Sequence, residues 1–169
     1  MTTMNLSQWF FDQLQANAEG FIWSANQVPK VRQCLQPPGG LGEWSTARHI
    51  FHMVFYEQTC ALPSMLQWLG EAPPSLKGVD EGVAWGAGRD DIEIMLAEFK
   101  QVRSDQIALL PKFDESTWNM THKTFWGRVT LSWVVSKTFQ HTAEHTSDVM
   151  QIALFWDDVV KWNKSKKEG

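Results

Sequence analysis

Two histidines four residues apart, His141 and His145 in "FQHTAEHTSDVMQ", carry the clearest chemical signal in the chain. On a helix, residues at i and i+4 share one face, so both rings can reach a single point. A second pair, His49 and His52, is spaced i, i+3 in another helical stretch. All four histidines fall on apolar stripes, which face inward in a helical fold. Two readings of them stand. Each is a core histidine whose nitrogens are satisfied by hydrogen bonds, as buried polar groups must be. Alternatively, they converge on a metal ion. Imidazole suits zinc, nickel, copper or iron, and three protein ligands leave a position open for water or substrate. Residue type and spacing leave both readings open.

The elements that must position these rings are helical. Four segments show 3.6-residue periodicity and none alternates convincingly like a strand. They lie near 5–27, 45–69, 90–110 and 130–160. Asn5 with Gln8, and Asp90 with Glu93, read as capping boxes, and Ser45 reads as an N-cap. Pro63 predicts a kink in the second segment, because it lacks a backbone donor. Four such helices predict an all-α, single-domain four-helix bundle spanning 1–169. The connections 28–44, 70–89 and 111–129 exceed the short turns that join antiparallel neighbours, which predicts long crossovers.

Composition narrows the function. The net charge of −4 argues against a nucleic-acid partner. The basic C-terminal stretch "KWNKSKKEG" reads as a solvated, flexible tail over about 161–169. No apolar run approaches the length of a membrane span, and the N-terminus lacks a secretory pattern. Cys34 and Cys60 form no CxxC, which fits a reducing cytoplasm. Ten tryptophans against one tyrosine supply either a ring-filled core or an aromatic-lined pocket.

The stretch "WSTARHIFHMVFYE", with Trp-Ser at the head of a helix and a histidine eight residues after the Trp, resembles the second helix of the DinB/YfiT-like bundles. "QHTAEHTSDVMQIALF" is similar to the HxxxH of their last helix. The resemblance covers nearly the whole chain. It implies a left-handed up-up-down-down bundle with a divalent metal, zinc or nickel, held by three histidines. Carried over by position, these are His52, His141 and His145. His49 then becomes a supporting or pocket residue. The pattern departs at Ser147 and Asp148, where members often carry glycine and glutamine. Asp148 lies at i+3 from His145, where it either reaches the metal edge or sits solvated at the rim.

Other candidates are weaker. Tyr56, one turn beyond His52, and His49 are the catalytic candidates, and with Trp133 they are named as pocket lining. Glu144 supports a ligand or faces water. Lys137 attracts an anion or snorkels outward. His122 reads as a surface residue in "STWNMTHKTFWGR", a loop whose Trp118 and Trp126 are candidates for a lid. Cys60 reads as core. The resemblance implies a metal-dependent enzyme acting on a small-molecule substrate, such as an S-transferase using a low-molecular-weight thiol (bacillithiol and mycothiol serve relatives). A metal-activated hydrolase and a non-catalytic, metal-stapled stress protein are the alternatives. A homodimer is the expected assembly.

Overall fold

The computed structural model describes residues 5–86, 88 and 91–168. Its elements are α1 (Leu6–Gln27), α2 (Thr46–Tyr56), a π turn (Glu57–Ala61), α3 (Leu62–Leu66), α4 (Glu81–Gly86), α5 (Ile92–Leu109), a hairpin of β1 (Thr121–Thr124) and β2 (Gly127–Thr130), and α6 (Leu131–Glu168). The fold is mostly helical. Helices α1 and α2 each pack against both α5 and α6.

Local chemistry explains the helix starts. The Asn5 side chain accepts from the Gln8 N–H, but the Gln8 amide turns to Asp12 instead of closing the box. Ser45 caps α2 by accepting from the Arg48 N–H. Asp90 lies outside the described residues; the cap of α5 is Asp91, whose carboxylate accepts from the Ile94 N–H. Thr130 accepts from the Trp133 N–H at the head of α6. That helix runs past the expected end near 160, to Glu168.

The kink predicted at Pro63 takes the form of the π turn. Pro63 has no N–H to return to the carbonyl four residues earlier. The helix widens ahead of it, and the Leu62 N–H reaches the Glu57 carbonyl.

Two apolar clusters form the core. One holds Phe21, Ile50, Met53, Phe99 and Ile152; the other holds Leu14, Met65, Leu110, Trp118 and Leu131. Along the α2–α3 segment, α5 and α6 the chain passes from one cluster to the other through polar residues of a single network. Arg103, 1% exposed, donates to both Glu57 carboxylate oxygens, to the Leu14 carbonyl and to Thr142 Oγ1 at 2.7 Å. Gln106 adds a bond to Glu57 at 3.1 Å. Burial pushes the Glu57 carboxyl upward, and the guanidinium opposes that push. The network ties α1, the π turn, α5 and α6 together one residue from His141.

The hairpin corrects the expectation that the chain forms helices alone. Thr124 pairs with Gly127 across the two-residue turn Phe125–Trp126, and Gly127 takes a positive φ of 101° that glycine tolerates. Trp118 is no lid: it is 1% exposed and stacks on Phe10 with ring centroids 5.1 Å apart. Among the described residues, no helix is long and apolar enough to cross a membrane.

Candidate metal centre

The Ser45 cap sets where α2 begins, and with it the position of Trp44 beside the histidines. The Trp44 ring lies 5.4 Å from His49, 5.0 Å from His52 and 5.9 Å from His145, nearly parallel to the last. The Arg48 guanidinium covers Trp44 at 4.6 Å. The Trp-Ser pair is thus a physical wall for three of the four rings.

Three ring nitrogens meet in front of that wall. His52 Nε2 lies 3.0 Å from His141 Nε2, which lies 3.2 Å from His145 Nε2. Ligands at zinc bond lengths of 2.0–2.1 Å sit about 3.3 Å apart on a tetrahedron, so this spacing matches the edges of such a site. Three converging imidazole nitrogens cannot all be satisfied by one another, since a neutral ring carries one N–H. The set could hold a metal ion.

Behind His52 stands a residue with no counterpart among the sequence candidates. Both Glu81 oxygens lie 2.9 Å from His52 Nδ1, and Glu81 also meets Arg48 at 2.6 Å. Asp80 caps α4 by accepting from the Val83 N–H, which places Glu81 in the first turn, over α2. A carboxylate on Nδ1 fixes the Nδ1–H tautomer and turns the Nε2 lone pair inward.

Burial keeps the other rings neutral. It holds His49 and His141 down to about 3 and His145 to about 4, with neighbouring histidines adding to the effect. The charge of Lys137 adds a smaller push in the same direction to His141 and His145.

The remaining candidates sort as follows. His49 is 6% exposed and its Nδ1 lies 2.9 Å from His145 Nδ1. Asp148 Oδ2 lies 3.7 Å from the same His145 nitrogen. The Tyr56 ring packs on His141 at 4.2 Å, and its buried hydroxyl faces Thr138 without a close hydrogen bond among the described residues. Burial raises the Tyr56 hydroxyl well above its usual range, so it remains a donor. Trp126, on the hairpin turn, lies 6.4 Å from Tyr56 and 5.4 Å from Trp133. Glu144 is exposed and accepts from Gln140. His122 is half-buried against Trp68 at 4.8 Å. Burial raises the Cys60 thiol, which suits an inert residue.

A cavity of about 450 Å³ opens beside the histidines, lined by Glu43, Trp44, His49, His145, Asp148 and Gln151 among others. It lies on the His49 side, so of the residues named for the pocket it takes His49 and neither Tyr56 nor Trp133. A larger cavity of about 610 Å³, near the start of α1, has Glu115 as its one titratable lining residue among the described residues. Of the three converging histidines, His145 lines the smaller one.

The family model of the DinB superfamily matches residues 13–149, which takes in every histidine of the cluster. The chain belongs to the DinB superfamily. The matched span also takes in Trp44 and Glu81. No curated protein shows significant similarity to this DinB member.

Proposed function

We propose that this chain is a metal-dependent enzyme in which His52, His141 and His145 hold one divalent ion, zinc or nickel, through their Nε2 atoms. The observation that carries the proposal is the contact of these nitrogens at 3.0 and 3.2 Å, with Glu81 fixing the tautomer of His52. An ion held by three protein ligands supplies a Lewis acid that lowers the pKa of a bound thiol or water.

The protein's own groups supply the rest. Trp44 and Arg48 wall the histidines on one side, and Tyr56 on the other presents a donor hydroxyl beside His141. The cavity of about 450 Å³ falls in the size range of small-molecule sites. The family resemblance suggests a reaction in which a low-molecular-weight thiol gives its S–H proton to solvent and its sulfur displaces a leaving group from an electrophilic carbon, the leaving group departing with its bonding electron pair. Tyr56 lies outside that cavity, so its hydroxyl donates to a group bound at the triad on the His141 side. The four long helical segments are read as the left-handed up-up-down-down bundle of the family, acting as a cytoplasmic homodimer.

Elemental analysis of the purified protein, alongside a panel of thiols with an electrophilic acceptor, tests this. Thiol-dependent consumption of the acceptor that disappears in His145→Ala supports it. Metal-loaded protein that consumes no acceptor with any thiol of the panel contradicts it and favours a metal-stapled structural protein.

A further inference from the structure

The histidine left outside the triad has a geometry of its own. His145 uses two different nitrogens: Nε2 faces His141, while Nδ1 lies 2.9 Å from His49 Nδ1 and 3.7 Å from Asp148 Oδ2. Ligand atoms of His49, His145 and Asp148 lie within 4.8 Å of one another. These separations bracket the edge of about 3.3 Å expected between ligands at zinc bond lengths. The cavity of about 450 Å³ opens onto these three side chains and also carries Glu43 and Gln151. A cation with part of its water shell can therefore enter from solvent.

We propose a second divalent-cation subsite at His49, His145 and Asp148, sharing the His145 ring with the triad. Two imidazole nitrogens and a carboxylate oxygen suit zinc and related first-row ions. Unlike the triad, this set brings a negative charge of its own. When both positions fill, His145 bridges them and its single N–H proton passes to solvent. The subsite binds more weakly than the triad. The Asp148 side chain is 47% exposed, and among the described residues no carboxylate backs His49 as Glu81 backs His52. Loss of such support weakens binding roughly 10- to 100-fold, which sets the expected gap between the two affinities. The competing account is a plain hydrogen bond between the two rings.

The proposal builds on the triad reading but can fail separately from it. Titration of the metal-free full chain with zinc alone, followed by equilibrium dialysis, reads both. The expected result is two ions per chain, one tight and one weaker. Asp148→Asn and His49→Ala should each keep the tight ion and lose the weaker one, and His52→Ala should do the reverse. Asp148→Asn changes little in shape, so it serves even where His49→Ala disturbs folding; circular dichroism checks both. Saturation of the unaltered chain at one ion overturns the subsite while leaving the triad standing. Two ions in both Asp148→Asn and His49→Ala overturn it as well.

Discussion

Glu81 grips His52 from behind, with both carboxylate oxygens 2.9 Å from Nδ1. The two residues belong to different helices, 29 positions apart. The contact decides which nitrogen of His52 faces His141. Replacing Glu81 with glutamine should lower metal affinity roughly 10- to 100-fold while leaving the helical content unchanged. Competition with a chromophoric chelator measures the affinity. Unaltered affinity in Glu81→Gln would remove Glu81 from the site.

The low pKa values of His49, His141 and His145 make a pH prediction. Unfolded histidines take up protons near 6.5, whereas the folded rings do so only near 3 to 4. Between these values the unfolded chain binds more protons, so stability rises with pH. The metal-free protein should thus keep its full stability above pH 6.5 and lose it progressively toward pH 3. Urea unfolding at pH 7, 5 and 4 reads this. His49→Ala should flatten the trend, and equal stability at all three values would contradict it. Metal binding to the folded chain should weaken as pH falls toward 4 and below, where His145 and then His141 take up protons, because each ligand must be neutral to coordinate.

The buried Arg103–Glu57 pair should matter for stability more than for chemistry. Glu57→Ala leaves Arg103 charged and buried, and should cost about 3–5 kcal/mol. Replacing both partners with apolar residues should recover much of that loss. Denaturant midpoints of the single and double variants provide the comparison. A single variant as stable as the unaltered chain would show that solvent reaches the guanidinium.

Tyr56→Phe separates holding the metal from using it. The ring stays against His141, so metal content should be unchanged. Turnover should fall, because the buried hydroxyl is the donor on that side. Equal turnover would leave Tyr56 as packing alone.

The long helices were legible because each repeats its apolar residues over many turns, as Phe10, Leu14, Phe21 and Ala25 do. His141 and His145 were legible because four-residue spacing fixes a shared face, and the family resemblance at Trp44-Ser45 pointed to His52, whose Nε2 lies 3.0 Å from that of His141. Glu81 was hidden: α4 is six residues long, too short to show a period, and sits in a connection otherwise without pattern. The hairpin was hidden for a related reason. Its strands are four residues each, and Phe125–Trp126 is no standard turn dipeptide. The Arg103 network did leave a signal. Arg103 and Gln106 sit in phase with Met95, Phe99 and Val102, and Glu57 follows Met53 by one turn. Charged residues at inward positions on two helices point to a buried pair.

Metal content of a small set of variants tests the triad most directly. The chain, purified and dialysed against stoichiometric zinc, should retain one tightly held ion by elemental analysis. His52→Ala, His141→Ala and His145→Ala should each lose most of the tight ion, while His49→Ala keeps it. Full retention in His145→Ala, or equal loss in His49→Ala and His52→Ala, would contradict the site.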